Sequence, residues 1–438
     1  MKHISLLLCF ISLVGYPSML LFAQPEGTIY DEAEVPAYEL PALLTSSEGD
    51  SIATPKQWLP RRAELLSLFE EHMYGKVPGT LDTLLFVIAS EDTAALSGTA
   101  IRREVTVYFT PDKKGPSMSL LLYLPAQTAQ PVPLFLGLNF YGNHSIQDDP
   151  SITLSSRWMR ANEDYGIVDH RATEASRGVR AYRWPVASIL ERGYGLATIY
   201  CGDLDPDKGR NEAVDFQDGV HPLFYADGQS QPKANEWGAI GAWAWGLQRA
   251  VDYLETDKSV NAEQLIVIGH SRLGKAALWA GAQDERFAVV ISNDSGCGGA
   301  ALSRRRYGET VEVINTAFPH WFNDNFPRYN NREDQLPVDQ HMLIATIAPR
   351  PVYVASAEED RWADPKGEFL SVYHAHPVYQ LLGTSGLPTD SMPPVNQPVM
   401  GKMGYHVRTG PHDITRYDWE QYLNFADQHL QPSSASNR

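Results

Sequence analysis

Gly269-His270-Ser271-Arg272-Leu273-Gly274-Lys275 places a serine between small residues at the point where an apolar run gives way to an Ala- and Leu-rich stretch. A serine hydroxyl is a weak nucleophile until the backbone exposes it and a neighbouring base takes its proton. Gln264 to Ile268 has the β-branched character of a buried parallel strand, and Arg272 to Ala282 has the composition of a helix. Strand, glycine-flanked serine and helix together make the context of a nucleophile elbow. The second glycine, Gly274, stands one position later than in the commonest form of this turn, with Leu273 in its place, so the motif needs support from the rest of the chain.

That support is a base and an acid in the right order. In hydrolases with such an elbow the chain order is serine, acid, histidine. Two acidic loops follow Ser271: Asn293-Asp294-Ser295-Gly296, after one apolar run, and Glu358-Glu-Asp360-Arg-Trp362-Ala-Asp364, after the next. Asp294 and Asp360 are both candidates for the acid. For the base, Thr409-Gly-Pro-His412-Asp-Ile414 lies just before the last helical stretch, and Gly410-Pro411 supplies a rigid turn that aims His412. His406 is the competing histidine.

The elements that must position these residues are legible around them. Residues 25 to about 60, with Pro25, Pro36, Pro41 and Pro55, read as an extended lead-in, and Gln57 to Tyr74 as a helix. Strands of antiparallel character follow at Thr83 to Ile88, Ile101 to Phe109 and Ser117 to Leu124. Leu134 to Leu138 and Tyr194 to Tyr200 read as buried strands, Trp237 to Glu255 as a long helix, Phe287 to Ile291 and Val352 to Ala355 as further strands, and Tyr417 to Gln431 as a closing helix. Antiparallel strands followed by strand and helix in alternation outline an α/β-hydrolase fold: a mostly parallel central sheet flanked by helices. Residues 61–438 form one catalytic domain on this reading, with insertions at 145–190, 205–235, 300–345 and 365–405 over the active site.

With 438 residues, 43% of them hydrophobic and 20% charged, the chain buries a large core without disulfides. Its formal net charge of −17 argues against nucleic acid and anionic membranes as partners, and restricts contact with an acidic polymer to local cationic groups. Met1 to about Ala23, with Lys2 and His3 before an apolar stretch, reads as a signal peptide cleaved near Ala23, and thus as the leader of an exported protein. Cys201 and Cys297 are the two cysteines after that leader, and the sequence leaves their pairing open. Asp203-Leu-Asp-Pro-Asp207 resembles the opening of a calcium loop, but Lys208 precedes the glycine and no acid closes it, so it reads as an acidic turn. His170, His221 and His320 lack ligand partners at metal spacing. Neither a metal nor a cofactor is expected.

Taken together, Gly269 to Lys275, Asn293-Asp-Ser-Gly-Cys-Gly-Gly-Ala-Ala-Leu-Ser-Arg304, Asp360-Arg-Trp362 and Gly410-Pro-His-Asp413 resemble the glucuronoyl esterases, over roughly residues 130 to 430. Fungal members carry cysteine where His270 stands and glutamate where Asp294 stands, so the pattern is closer to bacterial members. The resemblance implies a metal-independent serine esterase cleaving esters between 4-O-methyl-glucuronic acid branches of xylan and lignin alcohols. It implies Ser271 as nucleophile, His412 as base and an acid at either loop position. Asp360 is favoured over Asp294, which is one methylene shorter than the fungal glutamate. Arg272 would present its backbone N–H, and its guanidinium, to the developing oxyanion. The segment Leu138 to His144 would supply a second backbone donor. Lys275, Glu309 and Trp362 are candidates for contact with the sugar. An acetyl xylan esterase and a catalytically silent carbohydrate-binding protein, with ten tryptophans as platforms, are the alternatives.

Overall fold

The computed structural model describes residues 27–430 apart from 82, 129, 210–213 and 215, so the leader expected at Met1 to Ala23 lies outside the described residues. Twelve strands appear in chain order among them: β1 (Leu85–Ala94), β2 (Ala100–Tyr108), β3 (Ser117–Pro125), β4 (Val132–Asn139), β5 (Ile167–Val168), β6 (Arg171–Ala172), β7 (Gly195–Tyr200), β8 (Val260–His270), β9 (Phe287–Asn293), β10 (Val352–Ala357), β11 (Val399–Met400) and β12 (Met403–Arg408). The helices are α1 (Pro55–Phe69), the single turn α2 (Ala95–Gly98), α3 (Val186–Glu191), α4 (Ala239–Leu254), α5 (Arg272–Gln283), α6 (Val311–Ala317), α7 (Gln340–Ile347), α8 (Pro365–Leu381) and α9 (Arg416–His429).

Ten strands form one sheet in the order β1-β2-β3-β7-β4-β8-β9-β10-β12-β11. β1, β2, β3 and β7 pair antiparallel in turn, the run from β7 to β12 is parallel, and β11 returns antiparallel on the far edge. The parallel strands are buried on both faces, as their continuous apolar runs require. One face packs against α1, α4, α5, α7 and α8, around Trp243, Trp279, Leu343 and Val372. The other packs against α3 and α9, where Ile189, Trp419, Tyr422 and Phe425 cover Phe135, Ile268, Ile291 and Tyr353. The expected α/β-hydrolase architecture is thus present.

Three boundaries differ from the sequence reading. The segment 365–405 is not an insertion: α8 occupies its first half, capped by Asp364 and started by Pro365, and packs on the sheet, while β12 begins at Met403 inside its second half. Likewise, residues 340–345 belong to α7, a buried helix of the sheet face and not part of a roof. The lead-in is shorter than expected, because α1 starts at Pro55 behind the Thr54 cap, and it is more than a wrap: Leu43 and Ile52 join the core, and Ile29 bridges to Tyr307. Cys201 and Cys297 are both buried free thiols. Among the described residues no helix is long and apolar enough to cross a membrane.

Candidate active site

Ser271 sits at the β8–α5 junction with φ 58° and ψ −132°, a backbone conformation that costs a non-glycine residue energy and persists only where the surroundings enforce it. Its neighbours explain how. A Cβ on Gly269 would lie 2.0 Å from the Leu273 carbonyl oxygen, so only glycine lets the first turn of α5 fold back on the strand. Gly274 faces β9 and its following turn, where a Cβ would meet Ser295 Cβ at 3.0 Å and Ser292 Oγ at 3.1 Å. The late second glycine therefore belongs to helix–sheet packing, while Leu273 is buried in the core. The Ser271 N–H is held by Asn293 O (2.9 Å). Although Ser271 is the N-cap residue of α5, its hydroxyl does not cap the helix, unlike Thr54 on α1.

The neighbouring parallel strands deliver the other groups to the same end of the sheet. Asp294 follows β9, Asp360 follows β10 and His412 follows β12. His412 Nδ1 lies 2.6 Å from Asp360 Oδ2, and its ring stacks at a tilt 4.6 Å from that of His270, the residue before the serine. A donor at Nδ1 leaves Nε2 as the ring's basic nitrogen, the tautomer a general base needs. The His412 side chain remains 41% exposed and Asp360 only 7%, so the imidazole reaches solvent from a buried anchor.

Asp294 is differently placed. Its ligand atoms, those of Asp360 and those of His412 lie within 4.8 Å of one another, the one convergent group of metal-ligand type among the described residues. Yet its Oδ1 has no hydrogen-bond partner, and its Oδ2 has only the Arg408 guanidinium at 3.5 Å. Burial first, then the nearby carboxylates of Asp360 and Glu368, push its carboxyl well above the ordinary range. Glu368 is also fully buried. Its Oε1 accepts from the Ser295 and Gly296 N–H groups (2.8 and 2.9 Å), fixing the turn after Asp294, and burial raises it to about 8.

Arg408 locks the histidine loop. The buried guanidinium donates to Thr409 O (3.1 Å), Pro411 O (3.0 Å) and Asp413 O (2.6 Å), and its Nε to Asp418 Oδ2 (2.8 Å). Asp418, on α9, accepts in addition from His406 Nε2 at 2.9 Å, so His406 is a buried structural partner within β12. His270 pairs through Nδ1 with Asn293 Oδ1 (2.6 Å), and burial, followed by the neighbouring His412, holds it well below the usual imidazole range.

Beside Ser271, the Arg272 guanidinium lies 4.8 Å from the ring centroid of Phe140 and 5.5 Å from that of Trp321. Phe140 immediately follows β4, in the segment expected to supply the second backbone donor, and Asn139 and Asn143 pin that loop to each other (2.7 Å) and to Ser119 O (2.8 Å). Glu309 and Trp362 contact each other, and Lys275 lies near enough to Glu309 for their charges to interact. Trp362 hydrogen-bonds the Glu309 carboxylate through its side chain, and Glu309 N–H returns to Trp362 O (3.0 Å). Lys275 donates Nζ to Ser295 O (2.5 Å) and Cys297 O, and burial draws its ammonium below the usual lysine range against the opposing pull of the Glu309 carboxylate. It holds the Ser295–Cys297 turn more than it faces a ligand, while Trp362 and Glu309 are only partly buried.

Several residues at the site carry no sequence signal. Tyr30 of the lead-in stands under Arg361 (5.0 Å) and Tyr307 (6.0 Å), and its hydroxyl, without a hydrogen-bond partner, is pushed up to about 12 by burial. Asp207, the adjacent pair His320 and Trp321, and Arg408 join the site from three separate segments. The motif Asp203 to Asp207 contained the one hint, an acidic turn without a calcium loop's closing acid.

Residues 225–383 match the family described as glucuronyl esterase, fungi. A carbohydrate esterase from an unknown prokaryotic organism, MZ0003, is 51% identical over 416 residues, 94% of this chain and 95% of that protein. The 4-O-methyl-glucuronoyl methylesterase of Schizophyllum commune is 28% identical, over 78% of this chain and 74% of the fungal protein. Among solved structures, a promiscuous CE15 esterase from a marine bacterial metagenome superposes with TM-score 0.87 at 51% identity, covering 92% of this chain and all (100%) of that one. The glucuronoyl esterase from Solibacter usitatus gives TM-score 0.85 at 49% identity, with 91% and 100% covered.

Proposed function

The chain belongs to the glucuronoyl esterase family of carboxylic ester hydrolases, and from that premise we propose that it is an exported serine esterase that cleaves esters of 4-O-methyl-glucuronic acid in xylan, including those to lignin alcohols. Ser271 Oγ attacks the ester carbonyl while His412 Nε2 takes its proton, and Asp360 holds the imidazole by Nδ1 and stabilises its cation. Negative charge moves onto the carbonyl oxygen. The Arg272 backbone N–H at the open start of α5, the Arg272 guanidinium and a backbone donor after β4 receive it. Collapse breaks the ester C–O bond, His412 returns the proton to the leaving alcohol, and water then releases the uronate from Ser271 by the same steps in reverse. Glu309 and Trp362 offer the pyranose an acceptor and an apolar face, with Lys275 supporting Glu309 from below.

The observation that carries this reading is the 2.6 Å contact between His412 Nδ1 and Asp360, at the same end of the sheet as a serine held at φ 58° and with only β9 between β10 and the serine's strand. Purified protein should release benzyl alcohol from benzyl glucuronate. Ser271→Ala should lower kcat at least ~10⁴-fold with the fold intact; undiminished turnover in that variant would sink the mechanism. The related marine esterase is described as promiscuous, which favours measuring acetyl xylan alongside. A higher kcat/KM on acetyl esters would replace the substrate while leaving the serine chemistry. Export is tested separately: the protein recovered outside the cytoplasm should begin near Gln24, and a retained Met1 would remove that part of the proposal.

A further inference from the structure

The acidic turn Asp203 to Asp207, left over from the reading of the sequence, ends in the side chain that touches Arg272. Asp207 has φ 57° and is buried. Its Oδ1 accepts two hydrogen bonds, from His320 Nε2 (2.9 Å) and Trp321 Nε1 (2.7 Å). Its Oδ2 lies 2.9 Å from Arg272 Nε, but off the N–H axis, so this contact is an ion pair and not a formed hydrogen bond. The two donors are themselves immobilised. The His320 and Trp321 carbonyls cap the start of α4, accepting from Ala239 N (2.8 Å) and Ile240 N (3.1 Å). A Cβ on Gly238 would lie 2.6 to 2.7 Å from the His320, Trp321 and Phe322 carbonyl oxygens, and one on Gly209 would lie 2.5 Å from His320 Cε1, so both backbones press directly on this segment.

We infer that Asp207, fixed from behind by His320 and Trp321, is a positioning residue that sets where the Arg272 guanidinium stands for the developing oxyanion. The inference rests on the proposed role of Arg272 at that oxyanion. A guanidinium between two aromatic faces can slide in their plane, and a carboxylate at one edge fixes it there. The Phe140 and Trp321 rings determine the tilt, and Asp207 determines the reach. Because Asp207 meets the buried Nε edge, the terminal guanidinium nitrogens are left for the reacting oxygen. Preorganisation of this kind acts on the transition state, so its loss should lower kcat and leave KM nearly unchanged. Burial opposes ionisation of Asp207, but Arg272 and then His320 hold its carboxyl far below the usual range, which keeps the anchor charged at working pH.

The test is a double-mutant cycle on benzyl glucuronate with Arg272→Ala, Asp207→Asn and the pair. Arg272→Ala should lower kcat about 10²- to 10³-fold. Asp207→Asn should lower kcat about tenfold or more with KM within about twofold, and should cause no further loss in the Arg272→Ala background. Trp321→Phe, which keeps the ring and removes one donor to Asp207, should show a smaller loss that also vanishes without Arg272, and it serves where Asp207→Asn folds poorly. Unchanged kcat in Asp207→Asn, or losses that multiply in the double variant, would overturn the inference while leaving the role of Arg272 standing. Unchanged kcat in Arg272→Ala would overturn both.

Discussion

Asp360 and Asp294 leave adjacent strands of one sheet, converge with His412 to within 4.8 Å, and are nevertheless in opposite circumstances. Asp360 meets a ring nitrogen at 2.6 Å. Asp294 has one oxygen without a partner, a single guanidinium at 3.5 Å and two carboxylates for company. The difference teaches that loop position and residue type do not make a triad acid. A triad acid needs its charge opposite the imidazole, and of the two acids that follow these strands only Asp360 is bonded to the ring. Asp294 is better suited to remain protonated, which relieves the repulsion that Asp360 would otherwise feel.

This contrast can be broken by substitution. The largest effect should come from Asp360→Asn, which removes the charge opposite Nδ1 and frees the ring to take the wrong tautomer: kcat on benzyl glucuronate should fall about 10³- to 10⁴-fold. A loss below about tenfold would remove Asp360 from the triad. Next is Arg408→Leu, which leaves Asp418 buried without its main cation and unties the His412 loop. Unfolding in denaturant should report a loss of about 3–5 kcal/mol, and an unchanged midpoint would show that the loop is held by other means.

Asp294→Asn should cost much less, within about tenfold in kcat, because Asp294 makes no hydrogen bond to the imidazole and burial already disfavours its charge. A collapse of activity there would reverse the comparison. Glu368→Gln is read not in activity, where little change is expected, but as stability against pH. Glu368 is raised to about 8 by burial, whereas in the unfolded chain it loses its proton at an ordinary carboxylate pH of about 4.3. Between those values the unfolded state has released a proton that the native state keeps, so stability falls as pH rises through the window. The Gln variant lacks this slope and should gain on the native protein at about pH 8 while nearly matching it at about pH 5. Parallel melting curves at both pH values would contradict the assignment.

Most of the strand ends were legible because apolar runs of parallel strands are self-contained signals. β12 was not. Met403 to Arg408 carries His406 and Arg408 in a six-residue strand and reads as polar loop, and only Asp418 on α9, which pairs with both, makes them suitable for burial. That compensation is tertiary and leaves no local pattern. α8 did leave one, Asp364 as cap and Pro365 at the first turn, but Pro377, His374 and His376 within it weaken the helical pattern. At the site, Ser271, His412 and both acids follow from chain order and turn chemistry. Which acid meets the imidazole does not, since the two loops differ less in composition than in what surrounds them. The place of Asp207 and Tyr30 at the site was not legible for the same reason, although Asp207 stood out as the end of an acidic turn: their partners lie 65 and 331 positions away in the chain.

The most direct test of the central assignment is the His412 Nδ1–H proton itself. In proton NMR of ¹⁵N-histidine-labelled enzyme, a low-field ring N–H signal that disappears in His412→Gln identifies it. That signal should persist, little shifted, in Asp294→Asn and be lost from the low-field region in Asp360→Asn. Persistence in Asp360→Asn with loss in Asp294→Asn would contradict the account and give the role to the other carboxylate.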